Sequence, residues 1–143
     1  IIVGDGPDRE LYEKLILSEG LQGRVFLPGF KEDISQWLDV MDIFVLPSAG
    51  EALPLALVEA MHSQLPCIAT AVGGNPFVLD GGKAGVLIPP NSREELLFAI
   101  AASLKSKKLR QTLGKHAFDR ASTIFSPARY ASEVSGLWIE CSL

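Results

Sequence analysis

Cysteine is scarce in this chain: Cys67 and Cys141 stand far apart in 143 residues and lack the spacing of metal ligands. That usage suits a reducing compartment. Histidine is as rare, and no His/Asp/Glu cluster falls at ligand spacing, so the sequence implies no metal. Positive charge is not in excess: 13 Lys and Arg face 17 Asp and Glu, a net charge of −4. Without a basic field, generic nucleic-acid binding is excluded. No apolar run approaches the roughly 18 residues needed to span a bilayer. No secretory leader, repeat or low-complexity segment is visible, so a soluble piece is expected. The hydrophobic fraction of 48% is ordinary for a globular α/β protein, and the length is one domain's worth.

Within those bounds the chain alternates strand-like and helix-like segments. Ile1 to Gly4 reads as a strand, Gly4-Asp5-Gly6-Pro7 as a tight turn, and Asp8 to Glu19 as a helix. Leu11, Tyr12, Leu15 and Ile16 form its apolar face, and Gly20 is its stop. Strands follow at Arg24–Leu27, Ile43–Leu46, Pro66–Ala69 and Gly85–Ile88, with helices at Glu32–Val40 and Pro54–Ser63 between them. From Ser92 the pattern is helical only. Ser92-Arg93-Glu94-Glu95 reads as a capping box before a core face of Leu96, Leu97, Ile100 and Leu104. A second helix, Lys107 to Phe125, and a third, Ser126 to Leu143, complete the chain. This order predicts a doubly wound parallel sheet with C-terminal helices, binding ligands at the carboxyl ends of its strands. A chain that opens inside a strand reads as part of a longer protein.

Gly4-x-Gly6 invites a dinucleotide reading. The third glycine of that fingerprint would fall where Arg9 stands, and no acidic residue plays the ribose role some 20 residues on. A strand-to-helix turn near a ligand fits better.

The most informative stretch is Pro47 to His62, which places Glu51 in a loop and Glu59 on the helix that follows. Pro54 sits at the expected first helical position. At about 1.5 Å of rise per residue the two carboxylates lie on the order of 10 Å apart. A cooperating pair at a glycosidic bond needs roughly 5–9.5 Å. The spacing suits two ends of one extended polar ligand, with helix N-terminal amides between them for a phosphate. Either glutamate alone has a bland alternative, a helix-start charge or a solvated side chain. Basic residues at Lys105, Lys107, Lys108, Arg110 and Lys115 offer contact with an anionic membrane surface, against the plainer reading of a solvated face.

With Val3-Gly4-Asp5-Gly6-Pro7, Gly29-Phe30, Leu46-Pro47-Ser48, Glu51-x7-Glu59, Gly73-Gly74-Asn75-Pro76 and Phe125-Ser126 in this order, the chain resembles the C-terminal domain of family 4 (group 1) retaining glycosyltransferases of the GT-B architecture. The resemblance implies residues 1–125 as a Rossmann-like donor-binding domain, 126–143 as a crossover helix, and an acceptor-binding N-terminal domain outside this chain. It implies transfer of a sugar from a nucleotide-sugar to a saccharide or glycolipid, on the cytoplasmic face and with no metal or cofactor. Glu51 would contact the sugar as the catalytic carboxylate and Glu59 the ribose diol. Ala52, Leu53, Pro54 and Leu55 would face sugar and diphosphate, Phe30 and Lys31 would border the base, and Gly4 and Gly6 would line the donor site. The last helix, with Trp138 and Ile139, would cross to the other domain and favour self-association here. Four positions depart from the family pattern: Ala52 and Gln64 replace glycines, His62 a small residue, and Phe77 a glutamate. Ala52 and Phe77 motivate a second reading, a nucleotide-binding module in a catalytically inactive or regulatory GT-B protein.

Overall fold

The computed structural model describes residues 1–140, and its backbone falls into two compact units that divide after Gln36. In the first unit, helix α1 spans Arg9–Ser18. It ends where the sequence requires: Gly20 takes φ +64°, and the amides of Gly20 and Leu21 donate to the carbonyls of Leu17 and Ile16, a Schellman closure. Its apolar face is not a core face within the described residues, since Leu11, Tyr12 and Leu15 are all exposed. The strands expected at Ile1–Gly4 and Arg24–Leu27 are reduced to one parallel bridge between Val3 and Gly29. Hydrogen bonds from Ile2 N to Phe26 O (2.9 Å) and Gly4 N to Gly29 O (3.0 Å) flank it. Arg9, at the position of the missing third glycine, donates to Leu27 O and pairs with Glu13 and Asp5. The helix expected over Glu32–Val40 is a single turn, α2 (Ser35–Leu38). Asp33 precedes it and receives hydrogen bonds from Ser35 and Gln36, which hold its carboxyl below the usual range.

The second unit carries the sheet. Strands β1 (Phe44–Leu46), β2 (Cys67–Thr70) and β3 (Val86–Ile88) are parallel, in that spatial order. Their register aligns Val45 with Ile68 and Ile68 with Val86. Helix α3 (Leu55–His62) connects the first pair, and α4 (Asn75–Val78) with a 3₁₀ turn at Asp80–Gly82 connects the second. Helices α5 (Arg93–Lys105), α6 (Lys107–Ile124) and α7 (Pro127–Glu140) follow. Side chains alternate across a strand. Ile68, Ile88, Val45 and Val86 therefore share one face, packed by Leu96, Ala99 and Ile100 of α5. Cys67 and Ala69 turn to the opposite face, where α3 buries Leu57, Ala60 and Met61.

Several local expectations change. Pro54 is the N-cap of α3, not its first helical residue, with φ −79° and ψ 90°. Ser92 caps α5 without a side-chain hydrogen bond, so the capping box does not close. Leu97 and Leu104 are exposed, leaving Leu96, Ala99 and Ile100 as the core stripe of α5. On α6 the inward face holds Ala117 and Ala121 as expected, and also Gly114. A Cβ at 114 would collide with the carbonyl of Gln64, so glycine lets α6 approach the end of α3. Arg110 is not part of a free basic face: it donates to the carbonyls of Ser103 and Leu104 and lies 3.9 Å from Asp42. The side chains of Trp138 and Ile139, expected to cross to another domain, lie outside the described residues.

Candidate functional site

Parallel strands deliver their following loops to one edge of the sheet, and in the second unit these begin at Pro47, Ala71 and Pro89. The first carries Glu51, half-buried, whose Oε1 accepts a 2.6 Å hydrogen bond from the hydroxyl of Ser48. Four positions on, α3 begins with no side-chain cap at its N-terminus. First-turn amides lack intrahelical acceptors, and the helix dipole makes this end favourable to negative charge. Ala52, Leu53 and Leu55 around it are exposed, while Pro54 is buried. Glu59 lies further along α3 on its exposed side. The structure thus brings Glu51, residues 52–55 and Glu59 into one loop-helix unit.

The loop after β2 supports the Glu51 loop from behind. Gly73 has φ +49°, and a Cβ there would fall on the carbonyl of Glu51; one on Gly74 would fall on the carbonyl of Ala52. The amide of Gly74 donates to Glu51 O at 3.3 Å. Two glycines are therefore required by contact, one of them by conformation as well. Thr70, at the end of β2, donates to Ser48 O at 2.6 Å, and Asn75 Nδ2 donates to Thr70 O at 2.8 Å. Sequence reasoning named Gly73, Gly74 and Asn75 only as pattern residues and passed over Thr70. The available signal was a hydroxyl closing an otherwise apolar strand, Cys67-Ile68-Ala69-Thr70.

Phe77 takes an unexpected role. Its exposed ring meets Phe125 edge-on at 6.0 Å, and the Arg120 guanidinium lies 5.4 Å from its centroid while donating to Phe77 O. This ties α4 to the end of α6 by aromatic and cation–π contact. His62 is exposed on α3, as a surface residue. Cys67 is fully buried, and burial pushes its thiol up to about 12, which makes it an inert core residue.

In the first unit Gly4 (φ +123°) and Gly6 lie in the turn before α1, where a cavity of about 230 Å³ is lined by residues including Asp5, Arg9 and Tyr12. Phe30 is 73% exposed, directly after Gly29 at φ +78°, and Lys31 is half-buried. Among the described residues no group of three His, Cys, Asp or Glu side chains converges on a metal-sized site. No described helix is long and apolar enough to cross a membrane.

Fold and loop edge define a parallel α/β protein whose strands are each followed by a loop at one edge of the sheet. Residues 1–120 match the family described as Glycosyl transferases group 1, and the chain belongs to that family. It is 30% identical over its whole length to an alpha-D-kanosaminyltransferase of Streptomyces kanamyceticus, covering 38% of that protein. It is also 30% identical, over 98% of its length, to an Escherichia coli UDP-Gal:alpha-D-GlcNAc-diphosphoundecaprenol alpha-1,3-galactosyltransferase, covering 36% of that one. Among solved structures, the Anabaena protein HepE in complex with UDP-glucose superposes with a TM-score of 0.86 at 26% identity, over 96% of this chain and 40% of its own. The C-terminal domain of a glycosyl transferase group 1 protein (LpcC) from Francisella tularensis superposes with a TM-score of 0.75 at 26% identity, over 83% of this chain and 63% of that domain structure. The chain spans about two fifths of the length of these two curated relatives, and its architecture is that of the C-terminal part of a GT-B glycosyltransferase.

Proposed function

We propose that this chain is the donor-binding part of a retaining glycosyltransferase. The observation that carries the reading is the placement of Glu51, half-buried and hydrogen-bonded, beside the uncapped N-terminus of α3, with Glu59 further along the same helix. A carboxylate accepts hydrogen bonds from two adjacent hydroxyls, which suits Glu59 to a ribose diol and Glu51 to a sugar. The first-turn amides of α3 between them take the diphosphate. Ala52, Leu53, Pro54 and Leu55 shape that passage. Charge on the departing diphosphate is met by helix ends and cationic side chains, so no metal or cofactor is required.

The relatives named above include a UDP-galactose-dependent enzyme and a protein crystallised with UDP-glucose, which supports a nucleotide-sugar donor. An N-terminal domain of the same protein supplies the acceptor site and further cations, and this segment alone does not catalyse transfer. The acceptor is a saccharide or glycolipid, reached in the cytoplasm with peripheral contact at the inner membrane face. Glu59→Ala is expected to weaken nucleotide binding, and Glu51→Ala chiefly to lower sugar transfer in the intact protein. Unchanged affinity and turnover in both variants would overturn the reading. Phe77, whose aromatic ring is committed to Arg120 and Phe125, favours a second reading in which the site binds nucleotide without turnover. Donor binding with no transfer to any acceptor in the intact protein decides for it.

A further inference from the structure

We propose that Thr70 is a positioning residue for Glu51, acting through Ser48. The inference rests on Glu51 being the sugar contact. Thr70 is 3% exposed, and its hydroxyl carries one proton. That proton goes to Ser48 O at 2.6 Å; Leu46 O, at 3.5 Å, is too distant to compete. Ser48 in turn spends its own hydroxyl proton on Glu51 Oε1 at 2.6 Å, which leaves Oε2 for a ligand. The carbonyl of Thr70 is also fully used, accepting from Val72 N at 2.8 Å and from Asn75 Nδ2 at 2.8 Å. Asn75 is itself fully buried. A relay thus runs from the buried Asn75 amide through Thr70 and Ser48 to the carboxylate.

Its root is the central, fully buried strand of the sheet. Thr70 closes the central strand, in register with Ile88, and the Ala71 amide donates to Ile88 O at 2.7 Å. The loop carrying Glu51 has no strand of its own from Pro47 to Pro54. Thr70 therefore ties the backbone of Ser48 to the fixed end of β2, and the Ser48 hydroxyl, carried on that anchored backbone, aims one carboxylate oxygen. The close contacts of Gly73 and Gly74 set where the loop lies at Glu51 and Ala52; the Thr70 bond anchors the backbone at Ser48, from which the Ser48 hydroxyl holds the carboxylate.

The test measures a ratio. Affinities of the intact protein for UDP-, GDP- and ADP-glucose are compared, each with its own nucleoside diphosphate, and the pair that binds is followed through the variants. Thr70→Val keeps the side chain's shape and removes the donor, whereas Thr70→Ser keeps the donor. Loss of one hydrogen bond is expected to shift the sugar-dependent ratio about 3- to 10-fold in Thr70→Val, with nucleoside diphosphate affinity within about 2-fold of the unaltered protein. Thr70→Ser should retain the original ratio. Glu51→Ala marks full loss of the sugar contact. A Thr70→Val ratio equal to that of the unaltered protein, while Glu51→Ala shifts it, overturns the positioning role and leaves the donor-binding reading standing. An unchanged ratio in Glu51→Ala, or no pair bound at all, overturns both. Should Thr70→Val not fold, Ser48→Ala cuts the same relay one step closer to the carboxylate, and retention of the full ratio there also overturns the proposal.

Discussion

Helices α1 and α3 share a local grammar and differ in almost everything else. Both close with a residue in the left-handed region, Gly20 at φ +64° and Gln64 at φ +57°, and both make the two backbone bonds of a Schellman motif. Yet α1 buries no residue, whereas α3 buries Leu57, Ala60 and Met61 completely. The first unit holds together by a few backbone bonds and the Arg9 contacts, the second by a packed sheet. Local chemistry writes the ends of a helix; tertiary packing decides what its middle contributes.

Substitutions at matched positions break or sharpen that contrast. Gly73→Ala combines a left-handed backbone with a Cβ on the Glu51 carbonyl, and should cost about 4 kcal/mol in urea denaturation. Gly4→Ala, at φ +123° with open space around its Cβ, should cost only the strain, about 1–2 kcal/mol. Equal losses would mean that the second unit's loops yield as freely as the first's. In the helices themselves, Met61→Ala should lose about 3 kcal/mol, and Leu15→Ala less than about 0.5. A comparable loss at Leu15 would show that α1 buries its apolar face in solution.

The helix ends give the smaller effects. Gly20→Ala should destabilise by about 1 kcal/mol, because alanine resists the left-handed region. Gln64→Gly should stabilise by about 0.5 kcal/mol, relief of strain being partly offset by a freer unfolded chain. Thermal unfolding of both variants checks these signs, and a loss at Gln64→Gly would show that the glutamine side chain contributes something its backbone does not.

The parts legible in the sequence were those written locally. Val45, Ile68 and Val86 sit in apolar runs and form the sheet; Gly20 ends α1; Glu51 and Glu59 fall on the loop and helix expected of them. Ile1-Ile2-Val3 has strand chemistry, while a ladder also needs a neighbour, and here the pairing stops at the single bridge between Val3 and Gly29 with the bonds that flank it. Leucine at helical spacing marks a stripe without saying which side of it is covered, and Leu97 and Leu104 fall on the exposed side. The relay from Asn75 to Glu51 was illegible for another reason: Ser48 and Thr70 are 22 positions apart, and only the strand register joins them. The resemblance marks Phe77 as a departure from a glutamate; its ring contacts with Arg120 and Phe125 emerge only in three dimensions.

The Gly114 contact makes α6 a lever. Its fulcrum is the point where the helix backbone rests on the carbonyl of Gln64, ten residues before the helix ends at Ile124. At about 1.5 Å per residue the arm is roughly 15 Å, so a tilt of about 10° would swing the far end by roughly 3 Å. Arg120 rides that arm and grips Phe77, three residues after the glycine that touches the Ala52 carbonyl. A methyl group added at the fulcrum would be felt at the other end of the helix, beside the loop that steadies Glu51.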